Sequence, residues 1–124
     1  YRSDQPCGDG FKPSCPDVAS AKAQVLGKAQ EDWLAKGLSK SVRWNCLAQQ
    51  IMVMPLDRRR AKDEPKKILN LDSWAGYDGP RERLIGSLKG FDNCVVLTGD
   101  EHQNFAGLLL DKDKPVAVEF VSTS

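Results

Sequence analysis

The 124 residues are enough for one domain of ordinary size. Apolar residues make up 40% of the sequence and charged residues 28%, which indicates a folded globular protein rather than a disordered one. The 18 Lys and Arg residues nearly balance the 17 Asp and Glu residues, which argues against a platform for nucleic acid or an anionic membrane. No apolar run approaches the roughly 20 residues that a membrane-spanning helix needs.

The first third of the sequence is predicted to be irregular and then helical. Glycines and prolines interrupt residues 1–17, and Pro16 followed by Asp17 predicts the start of a helical stretch. Apolar residues at three- and four-residue spacing predict a better helix over residues 28–39. The apolar run over residues 44–54 predicts a buried or half-buried strand that ends at Pro55.

The charged segment over residues 57–67 leaves two interpretations open. A solvated loop is the favoured one. A basic flap that attracts an anionic substrate is the other, but Asp57, Asp63 and Glu64 dilute its positive charge.

The last third of the sequence predicts one helix and three strands. The helix begins near Asp78 and Pro80, and Gly90 can end it in a left-handed cap. The apolar run over residues 94–98 is typical of a strand covered on both faces. Residues 105–110 and 115–122 predict two further strands joined as a hairpin, so the whole is a mixed, layered α/β structure.

Four cysteines are present. Cys7 and Cys15 flank a loop rich in Gly, Pro and Asp, where they form either a disulfide in an oxidising compartment or two free thiols. Cys46 and Cys94 lie in apolar runs, where cysteine usually packs as a small hydrophobic residue. No C-x-x-C pair exists, which argues against a cysteine-based zinc site.

The most informative stretch is the loop that follows the strand at residues 94–98. Asp100 and His102, the chain's single histidine, are separated by one residue, so an extended backbone would point both side chains to the same face. A carboxylate and an imidazole together can form part of a metal site. Two ligands do not complete such a site, because three or four are needed.

Two motifs resemble those of a known family. Residues 97–102, Leu-Thr-Gly-Asp-Glu-His, resemble the last metal-binding motif of the calcineurin-like and PhoD-like phosphoesterases. Residues 72–77, Asp-Ser-Trp-Ala-Gly-Tyr, followed by Arg81, are similar to the Asp-x-Trp-x-Gly-Tyr signature of the PhoD-like family. Other similar segments follow the family's order, at residues 1–6, 26–45 and 118–124. The chain is therefore identified as a member of the PhoD-like (alkaline phosphatase D) metallophosphoesterases.

The resemblance implies a fold and an activity. Residues 1–124 are expected to be the C-terminal portion of a metallophosphatase domain, a layered α/β sandwich with a mixed sheet and a C-terminal β-hairpin. The parent enzyme is expected to hydrolyse phosphate mono- or diesters with divalent or trivalent metal ions, iron and calcium by resemblance. Asp100 and His102 are then its metal-ligating and catalytic residues in this chain. The family's other ligands are expected upstream of Tyr1, so the isolated chain is expected to be inactive.

By resemblance, Trp74, Gly76 and Tyr77 form a wall beside the active site, and Trp74, Tyr77 and Arg81 are the candidate substrate-binding residues. For Trp74 and Tyr77 the alternative is a packed aromatic turn that caps the sheet, which is slightly favoured. Arg81 is suited to bind phosphate through its guanidinium, but an exposed position in the first turn of the helix is the favoured alternative.

A second function stays open, namely a non-catalytic fragment or partner-binding half-domain without a complete metal site. In either case one sheet edge and one apolar face would lack their cover. We therefore expect the remaining half of the domain, or a homo-oligomer, as a partner. The resemblance also implies a periplasmic, cell-surface or secreted protein, from which a leader has been removed or which has been cut from a longer chain.

Overall fold

The computed structural model describes residues 2–61, 63 and 65–122. Tyr1, Lys62, Glu64, Thr123 and Ser124, which belong to segments interpreted above, lie outside the described residues.

Six strands and two α-helices account for the regular structure of the described residues. The strands are β1 (Phe11–Lys12), β2 (Asn45–Gln49), β3 (Leu69–Asn70), β4 (Cys94–Thr98), β5 (Phe105–Asp111) and β6 (Lys114–Val121). The helices are α1 (Lys28–Gly37) and α2 (Asp78–Leu88), and single 3₁₀ turns lie at Pro16–Ala19 and Trp74–Gly76. No helix among the described residues is long and apolar enough to cross a membrane.

The main sheet has four strands in the order β2-β4-β6-β5. β2, β4 and β6 run parallel, while β5 pairs antiparallel with β6 through a tight turn in which Asp111 lies opposite Lys114. A second, two-stranded antiparallel sheet joins β1 and β3. The mixed α/β architecture and the C-terminal hairpin predicted from the sequence are confirmed.

One face of the main sheet packs against α2 and forms the core. Val96 and Leu109 lie on this face and are fully buried, and Leu88 of α2 is buried in the same cluster. Burying each such side chain contributes about 1.5–3 kcal/mol to folding. The core therefore fixes the ends of β4 and β6 relative to α2.

The opposite face of the sheet is apolar and exposed. Leu97 of β4 lies opposite Phe120 of β6, and their exposed fractions are 43% and 47%. Leu108 of β5, on the same face, is 57% exposed. The prediction that residues 94–98 are covered on both faces is therefore wrong within the described chain. An apolar run reports that a surface avoids water, but it does not say which residues cover that surface.

Both main helices were predicted, but α1 ends at Gly37, two residues before the predicted end at residue 39. α2 begins at Asp78, and Gly90, just beyond its end, has a φ of 89° that glycine adopts without strain. The stretch from Pro16 forms only one 3₁₀ turn. The strand predicted over residues 44–54 is shorter than expected, because β2 ends at Gln49 and the chain then turns.

Cys7 and Cys15 form a disulfide with a Cα–Cα distance of 5.8 Å. Of the two alternatives left open by the sequence, the structure thus selects the cross-linked loop. Cys94 is buried as predicted, and burial raises the pKa of its thiol. Cys46 is exposed, contrary to prediction, because it lies on the uncovered face of β2.

Candidate active site

The loop that leaves β4, residues 99–104, is called the site loop here. Its backbone is not extended, because Asp100 and His102 have φ values of 63° and 56°. The amide of Glu101 donates to the carbonyl of Gly99 at 2.9 Å, which closes a three-residue turn around Asp100. The expectation of an extended backbone was therefore wrong at this point. Asp and His tolerate the left-handed region better than most residues.

Asp100 and His102 are both exposed. Neither side chain has a hydrogen bond or ion pair with any residue that the structure describes. No group of three or more His, Cys, Asp or Glu side chains able to hold a metal ion occurs among the described residues. The site loop therefore offers two exposed donors separated by one residue, which is fewer than a complete metal site needs.

The residue between these two donors points the other way. The side chain of Glu101 is only 7% exposed and forms an ion pair with Arg58, whose side chain is 18% exposed. Nη1 of Arg58 also donates to Oε1 of Gln103 at 2.8 Å. One guanidinium thus holds two alternate residues of the site loop.

Arg58 is itself held by aromatic rings and by the backbone. Its guanidinium carbon lies 4.8 Å from the ring centroid of Phe105 and 5.6 Å from that of Phe11, distances at which a cation and an aromatic face attract. The Arg58 amide donates to the carbonyl of Ile68 at 2.7 Å. The interpretation of residues 57–67 as a solvated loop is therefore wrong for Arg58.

A buried carboxylate fixes the strand ends below the site loop. Glu119 of β6 is fully buried and accepts hydrogen bonds from the amides of Val53 and Met54, each at 2.8 Å. Thr98, the last residue of β4, donates its hydroxyl to the same carboxylate at 2.7 Å. Gln49, at the end of β2, donates in turn to Thr98 at 2.5 Å. This network therefore ties the carboxyl ends of β2 and β4 to β6.

Trp74 and Tyr77 are buried side chains in the turn before α2. Trp74 is 2% exposed and donates its indole N–H to Oε1 of Gln49 at 3.0 Å, which joins it to the network around Thr98. Tyr77 is fully buried, and its hydroxyl donates to the carbonyl of Ser3 and accepts from Arg2. Their burial favours the packed turn over a wall open to substrate.

Arg81 is half-buried, so the favoured prediction of an exposed residue is wrong. Its Nε donates to the carbonyl of Val53 at 2.8 Å. Burial lowers the pKa of the Arg81 guanidinium below its ordinary value, and the negative charges of Asp78 and Glu119 partly oppose this effect. Direct contact of Arg81, Tyr77 or Trp74 with a substrate stays a prediction.

Sequence patterns did not indicate Arg58, Glu101 or Glu119. Arg58 and Glu101 are 43 residues apart in the sequence, and Glu119 bonds to residues 65 and 66 positions away. Arg58 lies in a charged segment and gave no such signal, while for Glu101 and Glu119 the signal was weak, namely an acidic residue next to or within an apolar strand. Such a residue is almost never fully buried unless it has a partner, and the partner could not be identified from spacing.

These features describe an α/β protein with a polar loop at the carboxyl end of a central parallel strand, the usual place for a site in such sheets. A family model described as PhoD-like phosphatase matches residues 1–124, and the chain belongs to this family. The resemblance carried by the motifs at residues 72–77 and 97–102 is therefore confirmed.

Two relatives support the same assignment. The chain is 39% identical over 132 aligned positions to alkaline phosphatase D of Bacillus subtilis (strain 168), a match that covers 100% of this chain and 22% of that protein. A solved structure described as "Structure of PhoD" matches with a TM-score of 0.87 and 39% identity, covering 100% of this chain and 25% of that one. The chain thus spans about a quarter of the length of these relatives or less.

Proposed function

We propose that these residues are part of a longer PhoD-like phosphatase that hydrolyses phosphate mono- or diesters, and that Asp100 and His102 bind a metal ion in its active site. The family match over the whole chain supports the reaction class. The observation that carries the assignment of the site is the free, exposed pair of donors at the carboxyl end of β4. The relatives are roughly four times longer, which leaves ample sequence for further ligands.

The two donors suit some metals better than others. A carboxylate and a neutral imidazole are suitable ligands for iron, whereas calcium takes oxygen ligands only. His102 therefore fits iron, and Asp100 fits either iron or calcium. Two donors are too few for either ion, so this proposal requires ligands from other parts of the full-length protein.

A metal held at this site neutralises the phosphoryl oxygens and makes water a stronger nucleophile at neutral pH. In this proposal the residues of this chain hold the metal and orient the site loop. Asp100 and His102 supply the first ligands, while Thr98, bonded to Glu119, fixes the strand end from which the site loop leaves. The buried Trp74 holds Gln49 through its indole N–H, and Arg81 holds the carbonyl of Val53. In this way both support the strand ends below the site loop.

Replacing His102 with alanine in the full-length protein is expected to lower kcat/KM about a hundredfold or more. Loss of a residue that only orients a metal ligand already costs 10–100-fold, and the ligand itself should cost at least as much. The measurement is hydrolysis of p-nitrophenyl phosphate and bis-p-nitrophenyl phosphate, before and after chelation, with bound iron and calcium determined on the same samples. Asp100→Ala is expected to behave in the same way.

Asp113→Ala is the matched control for Asp100→Ala. Asp113 is an exposed carboxylate in the turn between β5 and β6, at the opposite end of β5 from the site loop, so its loss should leave activity and metal content unchanged. Full activity and metal content in His102→Ala would contradict the proposed site. A full-length protein that neither binds metal nor hydrolyses esters would instead support the alternative of a non-catalytic half-domain.

We also propose that the remainder of the full-length protein covers the exposed face of the main sheet. Leu97, Leu108 and Phe120 are all more than 40% exposed there, and monomeric proteins rarely leave a continuous apolar face of this kind in water. About three-quarters of each relative lies outside the matched region, so the covering residues are available within one protein. A second copy of the chain is the alternative partner.

The reactivity of the Cys46 thiol measures whether this face is covered, because Cys46 is exposed on the same face of the sheet. In the native full-length protein we expect Cys46 to react with iodoacetamide at least about tenfold more slowly than in urea, because closed structure protects groups on a packed face. Labelling is followed residue by residue by mass spectrometry. Equal rates in the two states would contradict the proposed cover, and protection that grows with protein concentration would identify a second copy as the partner.

We propose that the protein is exported and is periplasmic, on the cell surface or secreted. The disulfide between Cys7 and Cys15 supports it, since such bonds persist in oxidising compartments and are rare in the cytosol. In the labelling experiment these two cysteines are therefore expected to stay unlabelled in urea until a reductant is added.

A further inference from the structure

A buried contact between the loop before β3 and the site loop suggests how the candidate ligands are positioned. Glu101 and Gln103 bond to Arg58, and they alternate in sequence with Asp100 and His102, which are exposed and have no side-chain partner among the described residues. The loop thus has one set of residues turned to Arg58 and one set left free. This arrangement requires a fixed backbone, because a different backbone conformation of the site loop would change which side chains face Arg58 and which stay exposed.

The backbone conformation of the site loop needs such support. Asp100 and His102 both have positive φ, a conformation that is strained for most residues with a side chain, although Asp and His tolerate it better than most. Within the described structure, the tight turn at Asp100 contributes one backbone hydrogen bond, from Glu101 to Gly99. Strained local conformations persist only where the surrounding structure holds them.

Arg58 is well suited to hold the loop. The low exposure of both Arg58 and Glu101 shields their ion pair from water, so the attraction between the two charges is screened less than at the surface, and losing one partner leaves the other buried without its counter-charge. Phe105 is the first residue of β5 and follows the site loop directly. The centroid of its ring lies 4.8 Å from the guanidinium carbon of Arg58. Arg58 therefore contacts Glu101 and Gln103 within the site loop and Phe105 directly after it.

We propose that Arg58 is a positioning residue of the active site, which acts through Glu101 to hold the site loop in the conformation that presents Asp100 and His102 to the metal. This inference rests on the proposed function for the role of the two ligands. The rigidity of the loop itself can be measured without metal or substrate, so the two proposals can fail separately.

The test uses Arg58→Gln and Glu101→Gln in the full-length, metal-free protein. Hydrogen exchange of the backbone amides of residues 99–104 is expected to accelerate at least about tenfold in each variant, because local opening becomes easier. The double variant should exchange no faster than either single variant, as two residues that act through one contact are not additive. Arg58→Lys should restore only part of the protection, because lysine cannot bond in a fork or stack in the same way.

The second readout is the loaded enzyme. Iron affinity or kcat is expected to fall about 10–100-fold in Arg58→Gln, while KM for bis-p-nitrophenyl phosphate changes little, since the substituted residue does not touch substrate. Arg59→Gln is the matched control, because Arg59 is the next residue and its guanidinium pairs with Asp57 at 2.7 Å. It should leave exchange in the loop and kcat unchanged.

Unchanged exchange of residues 99–104 in Arg58→Gln would overturn the proposal, even if activity fell. The same holds if the double variant shows the sum of the two single effects. If Arg58→Gln fails to fold, Glu101→Gln removes the negative charge of the same ion pair from the other side, and the test then rests on Glu101→Gln. Failure of the wild-type protein to hydrolyse phosphate esters would overturn the proposed function but not the measured role of Arg58 in the loop.

Discussion

Replacing Gly76 with alanine is expected to destabilise the protein by about 3 kcal/mol or more, an effect at the upper end of those caused by overpacking. A Cβ built at Gly76 lies 2.0 Å from the carbonyl oxygen of Leu71 and 2.9 Å from its carbonyl carbon. Both are backbone atoms, so no side-chain rotation can relieve the contact. The turn at Trp74–Gly76 must shift away from Leu71, or Leu71 must move into the core.

A shift of this turn would reach the candidate site. The amide of Trp74 donates to the carbonyl of Met52 at 3.1 Å, and its indole donates to Gln49. Displacing Trp74 therefore removes the support of Gln49, which in turn bonds to Thr98 below the site loop. We expect activity in the full-length protein to fall together with stability, which separates this variant from a purely local defect.

The measurement is the thermal midpoint of the full-length protein, expected to fall by about 6–12 °C at the slope of 2–4 °C per kcal/mol that is typical of a domain of roughly 150–250 residues. Gly86→Ala is the matched control. Gly86 lies within α2, and a Cβ there meets no atom within 4 Å. Alanine should leave the midpoint unchanged or raise it, because glycine within a helix costs up to about 1 kcal/mol relative to alanine. A midpoint for Gly76→Ala equal to that of the wild type would contradict the predicted clash.

The two helices and the C-terminal strands could be predicted because their signals are local. The three- and four-residue spacing of apolar residues in α1, and Pro80 and Gly90 around α2, need no knowledge of distant residues. The same holds for the hairpin of β5 and β6, whose turn lies between two apolar runs. The family motifs at residues 72–77 and 97–102 were likewise readable as short strings.

The strand predicted over residues 44–54 shows where such reasoning fails. After Gln50 the chain is apolar again, yet the amides of Val53 and Met54 bond to the carboxylate of Glu119 instead of to a neighbouring strand. An apolar run indicates burial, but it does not distinguish a strand from a buried irregular segment. The outcome depends on a side chain 65 or more residues away, which no local window contains.

The candidate site was predicted in part for the same reason. Asp100 and His102 were selected by type and spacing, while the loop conformation that carries them was not. The positive φ at both residues departs from the extended backbone that the spacing argument assumed, so spacing could not predict the path of the loop. Arg58 lies in a segment of many charged residues of both signs that, taken alone, favours a solvated loop. Its burial depends on Glu101, Phe11 and Phe105, which are distant in sequence.

Replacing Glu119 with glutamine is expected to destabilise the protein by about 2–4 kcal/mol, although the two side chains have nearly the same shape. Each carboxylate oxygen accepts one backbone amide, from Val53 on one side and Met54 on the other. An amide group has one oxygen and one NH₂, so one of these backbone donors would face another donor. A buried donor left without an acceptor costs about 1–3 kcal/mol, and the charge-assisted bond from Thr98 is weakened as well.

An opposing effect must be weighed against this loss. A buried carboxylate is costly to desolvate, and a neutral residue avoids that cost. Here the cost is offset by three hydrogen bonds to the carboxylate. The attraction between the Glu119 carboxylate and the positive charge of Arg81 offsets it further. Glutamine keeps none of the charge and only part of the bonding, so the net change is expected to be unfavourable. Glu119→Leu, which leaves all three donors without an acceptor, should be worse.

Glu82→Gln is the matched control, since Glu82 is an exposed residue of α2 and the substitution is chemically identical. Its effect should stay within about 0.5 kcal/mol, as is usual for surface positions. Urea unfolding of the full-length protein, followed by fluorescence, measures both variants. If Glu119→Gln unfolded at the same urea concentration as the wild type, or Glu119→Leu were more stable, the carboxylate could not be what holds Val53, Met54 and Thr98 together. The strand ends beneath the site loop would then have to be fixed by packing alone.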